Sequence, residues 1–358
     1  MSLNQFYKLN LFVILSTISA NYQFAFPISI LSESSMGYDS NFLKLSERDE
    51  LYGEVYPELI GDANSTSSIV GKQKFAISLK PQLFEYDTRV FLSIRSNLYF
   101  ALDAKNYNSY NLKVSQNFGN YKWLKVNYIY TPYNYLREYY DRDNSQIYYV
   151  EGSSFSASER DSAATYGREK ITIEFSYPIQ NMRSTWMIAS VAKEAQYYNQ
   201  NFTEYDLDIL HYRLGISWRY SRRIRIESKI TFSYADNVGM QDNLNSTLFQ
   251  DRGYNQKTVY FSWSKKNRKS FLDSFGFYQN IVFRDYTSEF PLYDILHFKR
   301  SHIDWSTNMW LSKKINHNLS IKVSMGYRSK DTDSNYAELL KTFQKFEYFL
   351  TLKYRLDI

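Results

Sequence analysis

From about residue 50 onward, the sequence places apolar residues at every second position and polar residues between them. Leu210, Tyr212 and Leu214, for example, alternate with His211 and Arg213. Successive side chains of a β-strand point to opposite faces of the sheet, so each such segment predicts a strand with one apolar and one polar face. No stretch is continuously apolar over the roughly 18 residues that a membrane-spanning helix needs. The alternation therefore predicts an all-β fold.

The same alternation predicts about fourteen strands. Most of them reach or exceed the roughly 9–11 residues with which a tilted strand crosses a bilayer. An even number of antiparallel strands places both ends of the sheet on the same side. We place the strands near residues 51–60, 72–80, 88–102, 109–117, 122–133, 168–177, 184–196, 207–220, 223–236, 256–265, 271–286, 297–313, 318–329 and 343–357.

The connections between these strands alternate between long and short. The segment SKDTDSNYAELLKT before the last strand is long, whereas the preceding turn is only INHN. The same contrast separates DNVGMQDNLNSTLFQDRGYNQ from the turn SRR that precedes it. All long connections therefore lie at one end of the sheet. A soluble sandwich offers no reason for this, whereas an outer-membrane barrel has short periplasmic turns and longer extracellular loops.

Composition narrows the class of protein further. Aromatic residues make up 18% of the chain, with 35 Tyr and 25 Phe, whereas Leu, Ala and Gly dominate an ordinary soluble domain. Tyrosine favours places where one end of its side chain is apolar and the other is wet. The absence of cysteine excludes a disulfide scaffold, a cysteine nucleophile and a thiolate metal site. The net charge of +6 is compatible with anionic solutes, anionic lipid or nucleic acid.

The N-terminus has the pattern of a secretory signal peptide. Lys8 precedes an apolar run that ends at Ile18, and the small residues Ser19 and Ala20 follow. A buried N-terminal helix is the alternative interpretation. Export argues against a nucleic-acid partner. We divide the chain into a signal peptide at 1–20, a periplasmic N-terminal segment at 21–49 and a barrel at 50–358.

With these features, about residues 50–358 resemble bacterial outer-membrane β-barrel proteins of the porin type. The resemblance rests on the signal peptide, the Tyr-rich strands, the loop asymmetry and the terminal segment FEYFLTLKYRLDI, although members of this class usually end on an aromatic residue and this chain ends on Ile358. It implies a transmembrane antiparallel barrel in the outer membrane. It also implies contact with outer-membrane lipid and, during biogenesis, with the barrel-assembly machinery. No particular subfamily is indicated.

In such a barrel the apolar face points to lipid and the polar face to the lumen. Hydrocarbon leaves no backbone group free to bond water, so the sheet must close on itself. We expect FEYFLTLKYRLDI to close it by pairing with the strand at 51–60. Aromatic residues near strand ends are expected to form girdles at the two interfaces.

The residues predicted to face the lumen are rich in positive charge. Rings of charged side chains set the selectivity of pores, so an excess of Lys and Arg favours anions. The alternative is that these cations pair with acids across the strands and only line the wall. The lumen-facing residues to which we assign selectivity are Arg95, Lys125, Arg213, Arg219, Arg225, Lys229, Lys322, Arg328, Lys353 and Arg355; Lys74, Lys113 and Lys193 are placed on the same face.

Two main functional hypotheses follow. The first is a porin-like channel whose basic lumen passes small polar or anionic solutes. The second is an anchoring barrel whose extracellular loops bind a surface or secreted partner protein, with the segment 134–168 large enough for that role or for a constriction inside the bore. A hydrophobic-substrate transporter conflicts with the lumenal charge. A barrel hydrolase would use His302 with Asp304, but no nucleophile is marked, and we predict no enzyme, cofactor or metal site.

Overall fold

The chain folds into one β-barrel of fourteen long antiparallel strands, with one additional two-residue strand. The strands of this computed structural model are β1 Ile28–Asp39, β2 Ser68–Leu79, β3 Gln82–Leu83, β4 Tyr86–Tyr99, β5 Tyr107–Asn117, β6 Trp123–Tyr140, β7 Asp161–Pro178, β8 Thr185–Tyr198, β9 Leu207–Trp218, β10 Ile224–Asn237, β11 Tyr254–Lys266, β12 Ser274–Tyr286, β13 Ser301–Lys314, β14 Leu319–Asp333 and β15 Phe343–Asp357. Short 3₁₀ helices occupy Asp103–Lys105 and Thr203–Tyr205. The structure describes residues 27–46, 50, 63, 65–83, 85–140, 161–182, 184–200, 202–239, 251–267, 271–289, 294, 297–334 and 341–358.

Each long strand pairs with the next long strand along the chain, and β2 therefore pairs with β4 beyond the short β3. The pairing of β1 with β15 closes the barrel. Every long strand described therefore has a partner on both sides, and the backbone groups of the sheet bond one another rather than water. This confirms the predicted fold class. No helix among the described residues has the length and apolarity to span a membrane.

The strand that closes the barrel is a correction to the sequence analysis. β15 pairs with β1, with Ile30 opposite Leu356 and Tyr38 opposite Tyr348. The barrel thus begins at Ile28, so the assignment of 21–49 to a periplasmic segment and of the barrel's start to residue 50 is wrong. Ser32 and Ser34 occupy outward positions and Leu31 an inward one, which weakens the alternation. The predicted strand 51–60 and signal peptide 1–20 lie outside the described residues.

The connections at the two ends of the barrel differ in length, as the sequence predicts. One end carries the turns 80–85, 118–122, 179–184, 219–223, 267–273 and 315–318, with Ile28 hydrogen-bonded to Ile358 at the same end. The other end carries the connections 40–67, 100–106, 141–160, 199–206, 238–253, 287–300 and 334–342. The first is the periplasmic end and the second the extracellular end, as in outer-membrane barrels.

The outer surface is apolar over its central belt. Leu214, Val323 and Leu350 are each more than half exposed although they are aliphatic. Tyr234, Trp305 and Tyr327 face outward toward the extracellular end, and Trp218, Tyr220 and Tyr354 toward the periplasmic end. Such a surface is stable only against lipid, and the aromatic girdles mark its two interfaces. The chain is an outer-membrane β-barrel.

Candidate functional site: a cation-lined cavity

The periplasmic half of the barrel encloses a cavity of about 1520 Å³. It is lined by inward side chains of β4 to β10 and by Tyr121, Met182 and Arg219 from the short turns. A barrel of fourteen strands is wider than the eight-stranded barrels whose side chains fill the bore, which leaves room for this space. Its charged lining consists of eight cations and two acids, namely Arg89, Lys113, Lys125, Arg168, Lys170, Arg213, Arg219 and Arg225 with Asp87 and Glu174.

Four of the ten residues predicted to set selectivity line this cavity. They are Lys125, Arg213, Arg219 and Arg225. The strand pairing puts the other six on the inner face elsewhere, namely Arg95, Lys229, Lys322, Arg328, Lys353 and Arg355. Their effect on selectivity stays a prediction.

Lys193 is placed wrongly by the sequence analysis. It lies on the outer face of β8 opposite Ile171 and Leu210, and its Nζ is 2.9 Å from Asp208 Oδ2. The inner positions of β8 include the apolar Ile188 and Ala192, so both faces of this strand look similar in sequence. For the same reason the sequence analysis did not identify Glu194, which faces inward.

Six of the ten predicted residues have carboxylate partners. Lys125 Nζ is 2.6 Å from Glu174 Oε1, and Lys353 Nζ is 2.9 Å from Glu33 Oε1. Arg225 and Lys229 share Glu227, Arg328 pairs with Asp304, and Arg355 pairs with Asp357. These six residues therefore fit the alternative interpretation, in which lumenal cations pair with acids along the wall.

Four cations of the cavity form no ion pair with any carboxylate that the structure describes, and these are Arg89, Lys113, Arg213 and Arg219. The Arg89 guanidinium lies 4.7 Å from the centre of the Trp123 ring, and that of Arg219 lies 5.8 Å from the Trp186 ring. Arg213 Nε donates to Thr231 Oγ1 at 3.1 Å. Neutral partners orient three of these groups without cancelling their charge.

A buried carboxylate, Glu194, lies on the inner face of β8, next to two of the cavity's cations. Arg168 donates to it from Nε and Nη2, both at 2.8 Å, and Lys170 Nζ lies 2.9 Å from Oε2. Gln196 Nε2 donates at 2.9 Å, and His211 Nε2 lies 3.2 Å from Oε2. Glu194 is only 3% exposed. It therefore holds two of the cavity's cations in fixed positions.

The extracellular half of the barrel is occupied in part by the connection between β1 and β2. Phe42 and Leu45 are buried against Leu102 and Tyr135, and the Phe42 ring lies 5.7 Å from that of Tyr99 on the inner face of β4. Residues 40–46 thus fold into the bore. In the segment 134–168, for which the sequence leaves open both a partner-binding loop and a constriction, residues 134–140 belong to β6 and 161–168 to β7, and 141–160 lies outside the described residues.

His302 and Asp304 do not form the pair that a barrel hydrolase would use. Arg328 Nε donates to both Asp304 oxygens, at 2.8 and 3.1 Å. His302 packs beside the Tyr286 ring at 6.0 Å, and its Nδ1 has no hydrogen-bond partner in the described part of the chain. Asp304 therefore accepts from the Arg328 guanidinium and does not orient the His302 imidazole as a base.

A second His–Asp contact lies in the extracellular connection 287–300. His297 Nδ1 is 2.7 Å from Asp294 Oδ1, and Asp294 Oδ2 accepts from the Asp251 amide at 2.9 Å. Burial, which outweighs the opposing hydrogen bond from Asp294, lowers the pKa of His297 from 6.5 to about 4. This pair anchors one extracellular connection to another.

Acidification should loosen this connection. The pKa of His297 is lower in the folded state, so its neutral form stabilises the fold above pH 6.5, and this stabilisation is lost as the pH falls toward about 4. We expect the protection factors of the Phe298 and Arg300 amides, measured by mass spectrometry and corrected for the intrinsic pH dependence of amide exchange, to fall as the pH is lowered over that range. His297→Gln should remove this pH dependence of the protection factors. His317→Gln, which changes an exposed histidine at the periplasmic end, should leave it intact, and pH-independent protection factors in the unaltered protein would contradict the assignment.

A scan against protein-family models and a search of curated proteins find no match to this chain. Among solved structures, a loop L8 deletion mutant of OmpT, an outer membrane protein of Vibrio cholerae, is 7% identical with a TM-score of 0.45, covering 92% of this chain and 99% of that one. An anion-selective porin from Comamonas acidovorans is 6% identical with a TM-score of 0.43, covering 92% and 98%. Acinetobacter baumannii OccAB3 is 9% identical with a TM-score of 0.43, covering 93% and 99%. The fold and location of this chain rest on its own strand pairing and surface.

Proposed function

We propose that this barrel is a porin-like channel that passes small anionic solutes across the outer membrane. The observation that carries the proposal is the cavity of about 1520 Å³ whose charged lining has eight cations and two acids. Charged side chains around a bore set its ion selectivity. A cleft of one charge sign within low-dielectric walls also raises the local concentration of oppositely charged solutes.

The kind of solute follows from the groups that line the cavity. Arginine presents a rigid fork of donors that matches carboxylate and phosphate oxygens. Arg213 and Arg219 have no carboxylate partner among the described residues, so an entering anion does not have to displace one. Asn111 and Asn127 add neutral donors to the same wall. This lining favours small carboxylates or phosphates and disfavours a hydrophobic substrate.

Charge reversal at Arg213 tests the proposal. In planar bilayers under a salt gradient, the unaltered protein should give a reversal potential that indicates anion preference. Arg213→Glu should lower the anion-to-cation permeability ratio by about three- to ten-fold, because it exchanges an unpaired lumenal cation for an anion.

Lys193→Glu is the matched control for Arg213→Glu. It makes the same change of charge, but on the outer face beside Asp208, and should leave the permeability ratio unchanged. If Arg213→Glu conducts with the selectivity of the unaltered protein, the lumenal role of Arg213 is wrong.

The second candidate is an anchoring barrel that binds a surface or secreted protein. The observation that favours it is the turn 40–46, which occupies part of the bore at the extracellular end. An anchoring barrel should be silent in bilayers although it is folded, as judged by heat-dependent migration on gels. It should also bind a partner through the extracellular connections, whereas a channel conducts without one.

A further inference from the structure

The turn 40–46 inside the bore is held by its own hydrogen bonds. Asn41 Nδ2 donates to the Leu45 carbonyl at 2.8 Å, and the Leu45 amide donates to Asn41 Oδ1 at 2.8 Å. The Lys44 amide donates to the Asn41 carbonyl at 3.2 Å. Asn41 Nδ2 also donates to the Gln344 carbonyl on β15 at 3.3 Å, and the Phe42 amide donates to the Thr66 carbonyl of the same connection at 3.2 Å. The turn is thus a defined part of the barrel interior.

One side chain of this turn differs from the others. Asn41, Phe42, Leu43, Leu45 and Ser46 are all buried, whereas Lys44 is exposed. Lys44 also has a φ of 59°, a left-handed conformation that is uncommon for a residue other than glycine. The hydrogen bonds between Asn41 and Leu45 hold this conformation. Lys44 is thus the one side chain among residues 41–46 that is exposed.

The charged neighbours of Lys44 place it between nearly opposite walls. They are Arg328 on β14, Lys345 on β15, Asp304 on β13 and Lys105 in the connection between β4 and β5. In the order β13-β14-β15-β1-β2-β4-β5, β13 and β5 are separated by almost half of the barrel's circumference. A group that interacts with both sides lies within the bore rather than at its edge.

The neighbours of Lys44 have partners of their own. Lys345 Nζ is 2.8 Å from Asp39 Oδ2 and 2.7 Å from Glu347 Oε1. Arg328 is paired with Asp304, and Lys105 Nζ donates to the Tyr135 carbonyl at 2.5 Å. Among the described residues no carboxylate forms an ion pair with Lys44. Its charge is therefore available to a solute that passes through the extracellular half of the bore.

We propose that Lys44 is a specificity-determining residue of the channel, whose ammonium selects anions on the extracellular side of the basic cavity. This inference rests on the proposed channel function. An anion from outside would meet Lys44 first and the unpaired cations of the cavity second. Successive cationic sites attract an anion without holding it at one place, as conduction requires.

Titration of Lys44 gives the inference a signature that a structural role would not produce. Enclosure within the barrel, reinforced by repulsion from Arg328, Lys105 and Lys345 and opposed by Asp304, holds the pKa of Lys44 well below its ordinary value of 10.5. The ammonium is present below that pKa and is lost as the pH rises through it. Anion preference should therefore decline at a pH below the range in which a lysine surrounded by bulk water titrates.

The experiment compares Lys44→Gln, Lys44→Arg and Lys193→Gln in planar bilayers over a range of pH. Lys44→Gln should lower the anion-to-cation permeability ratio about two- to five-fold at neutral pH and abolish its alkaline decline. Lys44→Arg should keep the ratio high at all pH values, because arginine stays protonated. Lys193→Gln removes the same charge from the outer face and should behave like the unaltered protein.

The two possible failures are distinguishable. If the unaltered barrel selects anions but Lys44→Gln retains both its selectivity and its pH dependence, the role of Lys44 is wrong and the channel function stands. If the unaltered barrel is folded but silent, or conducts without anion preference, the channel function fails and the inference fails with it. Migration of each variant as a heat-modifiable barrel on gels shows that it has folded.

Discussion

Replacement of Glu194 by alanine should destabilise the barrel by about 3–5 kcal/mol, the range for removing one partner of a buried ion pair. Glu194 is 3% exposed and accepts hydrogen bonds from Arg168, Lys170 and Gln196. Without the carboxylate, Arg168 and Lys170 would repel each other within the enclosed wall. Equilibrium unfolding in urea, followed by tryptophan fluorescence of the barrel in vesicles, measures this loss.

Glu169→Ala is the matched control for Glu194→Ala. Glu169 lies between Arg168 and Lys170 in sequence, but its side chain is on the exposed outer face of β7, opposite to the face of Glu194. Its loss should change stability by less than about 0.5 kcal/mol. Glu194→Ala should also raise the anion preference of the channel, because it leaves Arg168 and Lys170 unneutralised beside the cavity. An unfolding midpoint equal to that of the unaltered protein would contradict the role assigned to Glu194.

Substitution of Gly37 should destabilise the pairing that closes the barrel. Gly37 lies opposite Phe349 where β1 pairs with β15. A Cβ built at Gly37 would collide with the Tyr348 carbonyl oxygen and the Phe349 ring, which itself lies 3.5 Å from Lys72 Nζ. Because a backbone atom cannot move without breaking the pairing, Gly37→Ala should cost at least the roughly 1–3 kcal/mol of an overpacked core, and Gly37→Val more. The folded fraction is read from heat-modifiable migration on gels.

Gly71→Ala provides the control on the adjoining strand. A Cβ at Gly71 would meet the Leu98 Cβ and the Phe100 ring at 3.7 Å, which is ordinary contact. Gly71 faces outward and lies opposite Met36 of β1, next to the pair that Gly37 forms with Val70. The two variants therefore alter adjacent residue pairs between β1 and β2. The interpretation is wrong if Gly37→Ala assembles as well as Gly71→Ala.

Thirteen of the fourteen strands could be predicted from the sequence because their outward residues are almost all apolar. In β15 the outward residues are Phe346, Tyr348, Leu350, Leu352, Tyr354 and Leu356. β1 could not be predicted, since Ser32 and Ser34 face outward and interrupt the apolar positions Ile28, Ile30, Met36 and Tyr38. Backbone pairing with β2 and β15 on either side makes β1 a strand despite this weak pattern.

The candidate site could be predicted only in part. Alternation places Arg213 and Lys125 on the inner face, but it does not show that Lys125 Nζ lies 2.6 Å from Glu174 Oε1 on the neighbouring strand while Arg213 Nε donates to Thr231 Oγ1. Ion pairing depends on which residues the register of neighbouring strands brings together. Glu194 and Lys44 were missed for related reasons, because one lies on a strand with apolar residues on both faces and the other in a connection without periodicity.

The sequence by itself determined the class of fold, the two faces of the wall and the ends at which long and short connections lie. Each depends on local features, namely the two-residue period of a strand and the lengths between strands. Only the tertiary structure decided which strand closes the barrel, which lumenal cations remain unpaired and that the turn 40–46 enters the bore. These depend on contacts between residues far apart in the chain, such as Asn41 with Gln344, which closure of the sheet brings together.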